Sequence, residues 1–331
     1  MLDFYDQHGR KDLPWQLNKT AYSVWVSEIM LQQTQVKTVI PYYLKFIKSF
    51  NSIDTLANAH IDEVLKHWEG LGYYSRARNL HACAKHVVEH FDGEFPKLLD
   101  EIVSLPGIGE STGGAILSLA FGLPEAILDG NVKRVLARVF SVDGWYGNTK
   151  VSKELWQITR KYTPSNRTGD FNQAMMDLGA GICNRANPQC GICPLSKHCE
   201  ANLQYKTAEY PHRKPKKKIP TKDITMLLSS RNNQILLHKR PPTGIWGGLW
   251  SLPEQEALNP EANEITGKFK HTFSHYHLNA TVIPPSKNQQ KNYQVEENIE
   301  LAWHNVNELN KLALPTPIKK FLYKHFAIKE E

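Results

Sequence analysis

The chain has no run of about 18 apolar residues, so a membrane-spanning helix is not expected. Its first residues, Met1 to Gly9, are polar and carry no signal-peptide pattern. No internal repeat is visible. Cysteine is scarce: there are five in 331 residues, and four of them fall between positions 183 and 199. Secreted disulfide scaffolds are short and spread their cysteines widely, so a tight cluster in a long chain reads as a metal site in a reducing compartment. Cys83 stands apart in the helical stretch 79–88 and reads as a small buried residue.

The composition, 41% hydrophobic and 22% charged, is that of an ordinary globular protein, and the length suggests two domains. A net charge of +7 favours a polyanionic partner, although many proteins that bind no polyanion are as basic. From residue 20 to about 203 apolar residues recur at three- and four-residue spacing, as in Val24, Trp25, Ile29 and Val36, Val39, Ile40. Breaks are predicted at Pro41, Gly70–Gly72, Gly93, Pro106–Gly109, Gly122–Pro124 and Gly144–Gly147. Residues 204–222, with Pro211, Pro215, Pro220 and lysines at 214 and 216–218, read as a basic linker. Beyond it the pattern turns to strands at 224–228 and 234–238 around Asn232–Asn233, and alternation continues through Phe269, His271, Phe273 and 275–283. Residues 307–311 and 318–326 read as helical.

Three constellations carry chemistry. Cys183, Cys190, Cys193 and Cys199 are spaced C-x6-C-x2-C-x5-C. Four thiolates so close can surround zinc or a [4Fe–4S] cluster, and the single C-x2-C pair with uneven spacing suits a cubane better. Leu105–Pro–Gly–Ile–Gly109 lies between two helical stretches. Gly107 and Gly109 let backbone approach a ligand closely, and the following helix N-terminus favours an anion such as a DNA phosphate; a plain tight turn is the alternative. Last come two carboxylates. Glu28 sits among Val26, Ile29 and Met30, facing either solvent or a pocket where burial would raise its pKa. Asp129 precedes the helical stretch 132–140, as a helix N-cap or as a carboxylate held ionised by the helix N-terminus. Breaking an N-glycosidic bond needs both kinds of group, one to protonate the leaving base and one to stabilise the sugar cation.

These motifs resemble the MutY-type adenine glycosylases of the helix-hairpin-helix, endonuclease III superfamily. The resemblance rests on Val24–Trp–Val–Ser–Glu–Ile–Met–Leu–Gln–Gln–Thr–Gln–Val36, on the 105–112 stretch LPGIGEST, on Leu128–Asp–Gly–Asn–Val–Lys–Arg134 and on the cysteine spacing, and it covers nearly the whole chain. It implies removal of adenine mispaired with 8-oxoguanine, or with guanine, from duplex DNA during base excision repair. It further implies a [4Fe–4S] cluster, Glu28 as general acid toward adenine N7, Asp129 as stabiliser or transient trap of the sugar cation, and Asn131 orienting Asp129. Trp15 and Leu31 would wall the base pocket and Gln173 would lie at the adenine edge. Gln33 would fill the gap in the duplex beside Thr34, and Tyr73 would intercalate beside 8-oxoguanine. On periodicity alone Trp15 and Tyr73 read as core. The first helix is cut short relative to some members. Bifunctional relatives carry a lysine where this chain has Ser111, so Schiff-base strand cleavage is not expected.

The stretch Ile235–Leu–Leu–His–Lys–Arg–Pro–Pro–Thr–Gly–Ile–Trp–Gly–Gly–Leu–Trp–Ser–Leu–Pro–Glu254 resembles the start of a Nudix fold, but residues 255–268 lack its glutamate-rich metal helix, so no pyrophosphohydrolase activity is expected. Residues 271–278 alternate like a strand; by resemblance Phe273, Ser274 and His275 form a loop that senses 8-oxoguanine. The expected architecture is multidomain: a mainly α catalytic region at 1–203 (helical barrel 20–125; iron–sulfur lobe 1–19 and 126–203), a linker at 204–222, and an α+β Nudix-like domain at 223–331. A monomer, with duplex DNA as partner and no membrane, is expected in a bacterial cytoplasm, at the nucleoid.

Overall fold

A computed structural model describes residues 1–215, 218–255, 264–286 and 300–329. Lys216, Lys217 and most of the stretch read for a missing metal helix lie outside the described residues. The chain divides into two compact units, Met1–Asn58 with Asn79–Lys216, and Ala59–Arg78 with Lys217–Glu331. Segment 59–78, read from sequence as part of the helical barrel, thus clusters with the C-terminal residues.

The first unit is helical. Its elements are α1 (Leu2–His8), α2 (Pro14–Leu17), α3 (Ala21–Leu31), α4 (Val36–Ser49) and α5 (Ile53–Asn58), then, after α6 (Ile61–His67) in the other unit, α7 (Ser75–His90), which begins there and ends here. They continue with α8 (Leu99–Ser104), α9 (Glu110–Phe121), α10 (Gly130–Val139), α11 (Thr149–Tyr162), α12 (Thr168–Asp177) and α13 (Glu200–Leu203). Helix α3 starts at a reciprocal cap: the Thr20 hydroxyl accepts from Ser23 N–H (3.0 Å) and the Ser23 hydroxyl accepts from Thr20 N–H (2.9 Å). Trp25, Val26 and Met30 of α3 are fully buried, each side chain contributing about 1.5–3 kcal/mol of transfer free energy. Helix α3 packs on α9, which also packs on α8 and α12.

Pro41 does not break the chain as its type suggests; it lies inside α4. Proline removes the hydrogen bond to the Lys37 carbonyl, but Val39, Tyr43 and Phe46 bury the same helix around it and hold it together. The other glycine and proline breaks fall between elements, and Gly122 ends α9 in the left-handed region at φ 69°.

The second unit holds two four-stranded sheets. One has the order β5–β1–β7–β6, built from β1 (Thr221–Leu227), β5 (Glu254–Gln255), β6 (Gly267–Thr272) and β7 (His277–Ile283). Strands β1 and β7 pair in parallel and the other neighbours antiparallel. The second sheet joins β2 (Ser230–Arg231), β3 (Gln234–Lys239), β4 (Trp250–Ser251) and β8 (Glu300–Asn305), with β3 in the middle. Asn232 and Asn233, at φ 47° and 57°, make the two-residue turn between β2 and β3. The continuous alternation read over 271–278 gives way to a hairpin: Phe273 N–H donates to the Tyr276 carbonyl (2.9 Å), and residues 273–276 form the turn between β6 and β7. The chain closes with a 3-10 turn (Val306–Lys311) and α14 (Thr316–His325).

Close packing of α9 makes a direct prediction. A Cβ at Gly114 would stand 2.2 Å from the Ala126 carbonyl oxygen, whereas one at Gly109 meets nothing within 4 Å. Gly114→Ala is expected to lower the unfolding midpoint by ~1–3 kcal/mol of overpacking. Gly109→Ala should stay within ~0.5 kcal/mol of the parent in the same urea titration.

Candidate active site

Glu28 is the eighth residue of α3, half-buried between the buried Ser27 and Ile29. It has no hydrogen-bond partner among the described residues. Burial, with a smaller push from the charge of Asp129, raises its pKa to about 8. The two carboxyls are therefore within electrostatic reach of each other.

Asp129 caps α10. Its Oδ1 accepts from Val132 N–H (2.7 Å) and its Oδ2 from the Asn131 amide (3.1 Å). These donors and the nearby Arg134 guanidinium lower its pKa, as a helix N-terminus should, but burial outweighs them and the net direction is upward. Among the described residues donors converge on Asp129 and none reaches Glu28, so burial is compensated at Asp129 and not at Glu28. Ser111 stands beside this pair in the chain's fold, its hydroxyl accepting from Leu128 N–H (3.0 Å).

Gly107, at φ 78°, packs so closely on Asn79 that a Cβ would lie 2.6 Å from the Asn79 Cβ. Gly109 is the N-cap of α9, open to space on its Cβ side. The turn thus points the twelve-residue α9 N-terminus outward, which fits a phosphate.

The remaining expected residues fall in two groups. In the first unit, Trp15 is buried against Tyr43 (rings 5.3 Å apart), so the packing reading holds for it whatever else it touches. Leu31 is half-buried at the end of α3. Gln33 is exposed at φ 59°, and the half-buried Thr34 donates to the Gln32 carbonyl (3.4 Å). Gln173 is buried on α12 and its amide donates to Asp177 Oδ1 (2.8 Å), a carboxylate also held by the Arg10 backbone N–H and guanidinium. In the second unit, Tyr73 is 49% exposed at φ 50°, which sets it apart from the core residue that periodicity suggested. Phe273 is half-buried, while Ser274 and His275 are exposed at the tip of the β6–β7 turn.

All four clustered cysteines are free thiols that line one small cavity with Val135, Arg138, Leu178, Ile182 and Leu195. Cys193 and Cys199 are pushed up first by burial and then by the other thiols, which places the sulfurs near one another. Among the described residues no group of three or more Cys, His, Asp or Glu converges as a single-ion site. A cavity walled by four thiols and apolar side chains, one of them half-ringed by arginine, fits a cluster larger than one ion. Cys83, by contrast, is fully buried, its thiol pushed up to about 12 by burial alone.

Two arginines that sequence reading passed over tie this cavity to the carboxylates. Arg134 donates to the Cys183 carbonyl (2.8 Å), the Gly179 carbonyl (2.7 Å) and Asn131 Oδ1 (2.9 Å). Arg138, 2% exposed, donates to the carbonyls of Asn184 (2.8 Å), Arg185 (3.2 Å), Thr207 (3.0 Å) and Tyr210 (2.9 Å), and to Cys183 Sγ (3.3 Å). Their four-residue spacing on α10 was the available signal, since it puts both on one helix face.

Comparison with known proteins places this geometry. A family profile described as HhH-GPD superfamily base excision DNA repair protein matches residues 26–161, and a NUDIX domain profile matches residues 224–324. An adenine DNA glycosylase of Buchnera aphidicola subsp. Acyrthosiphon pisum is 42% identical over 97% of this chain and 95% of its own. The chain belongs to the adenine DNA glycosylase family. The human adenine DNA glycosylase is 34% identical, over 84% of this chain and 64% of the human one. Among solved structures, a thermostable thymine-DNA glycosylase superposes with a TM-score of 0.54 at 29% identity, covering 61% of this chain and 93% of its own. A trapped endonuclease III–DNA intermediate, at 22% identity and a TM-score of 0.53, shares the fold over 62% of this chain and 94% of its own. This glycosylase is thus an enzyme of base excision repair that acts on DNA to release adenine. Among its described residues no helix is long and apolar enough to cross a membrane.

The buried Arg138 allows a stability test. Arg138→Met strands four carbonyls that only its guanidinium satisfies, at ~1–3 kcal/mol each where they stay dry. A large fall in the unfolding midpoint, with faster proteolysis between residues 183 and 210, is the expected outcome; an unchanged midpoint would show that water replaces the guanidinium.

Proposed function

We propose that this glycosylase releases adenine paired with 8-oxoguanine, or with guanine, by monofunctional hydrolysis, with Glu28 as the acid and Asp129 as the counter-charge. The observation that carries the reading is the desolvated Glu28 carboxyl, raised to about 8 and facing a carboxylate held by α10. Extrusion of the adenine nucleotide would bring the base to Glu28 and the sugar to Asp129. Glu28 gives its proton to the adenine ring nitrogen, N7 by family resemblance. The C1′–N9 bond breaks, and its electron pair leaves with the base. Asp129, oriented by the Asn131 amide, faces the positive charge on the deoxyribose. Water then adds at C1′ and its proton returns to Glu28, which restores the acid.

Ser111 offers no amine to the sugar, and its hydroxyl is already engaged by Leu128 N–H, which favours base release without strand cleavage. Gly107 and Gly109 would grip a phosphate at α9, and Gln33 and Thr34 would fill the duplex opened by the departing nucleotide. Trp15, Leu31 and Gln173 would enclose the base. Tyr73 would stack beside the opposite base, which Phe273, Ser274 and His275 would read as 8-oxoguanine. Cys183, Cys190, Cys193 and Cys199 would hold a [4Fe–4S] cluster, which when bound supplies a redox-capable inorganic scaffold for their loop.

Four outcomes are expected. Single-turnover adenine release from an 8-oxoguanine:adenine duplex should fall as pH climbs past about 8, because Glu28 is protonated below its raised pKa and loses the proton above it. Glu28→Gln should remove this pH dependence and slow release by roughly 100-fold or more; near-normal release by Glu28→Gln would sink the assignment. Strand scission should appear only after alkali. Purified protein should contain about four irons per chain, and Cys193→Ser should lower that content.

A further inference from the structure

One motif stands outside this scheme, the Gly244–Leu249 stretch of the Nudix-like start. Trp246 sits at its centre with φ 54°. A bulky aromatic in the left-handed region is a genuine outlier, and such backbones persist where the surroundings impose them, often at functional sites. Here the surroundings do impose it. The Arg240 guanidinium lies 5.8 Å over the Trp246 ring and donates through Nε to the Ile245 carbonyl (2.8 Å). A Cβ at Gly247 would stand 2.6 Å from the Pro242 carbonyl oxygen, and Gly248 is itself left-handed at φ 77°.

The strained turn touches two loops. On one side the Trp246 ring lies 5.3 Å from Phe273 and 5.7 Å from His271, and Phe273 continues to His275 (6.2 Å) and Tyr276 (4.8 Å). On the other side Arg78 Nη1 donates to the Gly247 carbonyl (2.6 Å), and a Cβ at Gly248 would touch Leu65 (3.2 Å) and the Arg78 stem (3.7 Å). Arg78 is two residues from Arg76, whose guanidinium lies 5.7 Å over the Tyr73 ring and donates to the Gly72 carbonyl (3.1 Å). Ion pairs fasten the same segment: Lys239 to Asp62 (2.8 Å) and Lys319 to Glu69 (2.9 Å). A tryptophan that served only the core could pack from an ordinary backbone. This one accepts strain, and the turn it centres meets one loop through its ring and the other through the Gly247 carbonyl.

We infer that Trp246 is a positioning residue for lesion recognition, locking the Phe273–His275 turn to the Tyr73 loop so that both address the same base opposite the target. This rests on the reading of those two loops given above. With the lock intact, the reader and the wedge approach the orphaned base as one rigid body, and a base that lacks the 8-oxo group cannot draw them in separately.

The test compares single-turnover adenine release from 8-oxoguanine:adenine and guanine:adenine duplexes. Trp246→Ala should lower the preference for 8-oxoguanine roughly three- to tenfold, the scale of lost aromatic contacts, while the guanine:adenine rate stays near the parent's. Trp246→Phe should restore most of the preference. Tyr73→Ser combined with Trp246→Ala should lose no more preference than the worse single variant. Arg78→Met, which removes the bond to Gly247, should show the same selective loss and serves if Trp246→Ala does not fold. Equal slowing of both duplexes, or additive losses in the double variant, would overturn the inference. A parent enzyme with no preference would instead overturn the lesion-reading role of the two loops; a preference that survives both Trp246→Ala and Arg78→Met would overturn the lock alone.

Discussion

A desolvated carboxyl, Glu28, within electrostatic reach of the capping carboxylate of α10 is the constraint on which the proposed chemistry depends. Left in water, Glu28 would ionise well below neutrality and could offer no proton. Helix α3 removes it from water by burying Trp25, Val26 and Met30 around it. Helix α10 then supplies the companion charge at its N-cap, where N–H groups and the Asn131 amide compensate Asp129. Chemically alike groups are driven apart in behaviour by the distribution of donors, not by any difference in their own acidity.

The rest of the helical unit serves to keep those two positions fixed. Gly114 lets α9 approach the Ala126 carbonyl, three residues before Asp129. Arg134 satisfies the carbonyls at Gly179 and Cys183 while it holds Asn131, so the N-cap of α10 and the cysteine loop share one guanidinium. Buried arginine is costly unless its donors find partners, and the buried Arg138 and half-buried Arg134 spend most of theirs on backbone oxygens.

Much of this was legible beforehand. The motif around Glu28, the N-cap residue at Asp129, the glycines of the 105–109 turn and the cysteine spacing are local patterns, and local patterns survive in a sequence. The two-residue turn at Asn232–Asn233 was readable for the same reason. Pro41 was misread as a break because side-chain type predicts a lost hydrogen bond but not the burial that compensates it. At 271–278 alternation alone reads as one strand, because it runs smoothly through the turn, whereas the resemblance had given Phe273, Ser274 and His275 as a loop. The α10 arginines and Trp246 escaped because their partners lie 40 or more residues away, or because backbone strain leaves no trace in residue type. The raised pKa of Asp129 was missed since N-capping is visible in sequence and desolvation is not.

Segment 59–78 has a consequence for how such a protein can be cut or recombined. The polypeptide passes between the units at 58/59, 78/79 and 216/217, so the second unit is assembled from two separate stretches of sequence. Removing everything beyond the linker would take Lys239 from Asp62, take one of its two lysines, Lys319, from Glu69, and remove Gly248 from beside Leu65. A cut at the linker therefore divides one compact unit and leaves α6 without the C-terminal residues that Asp62 and Leu65 meet.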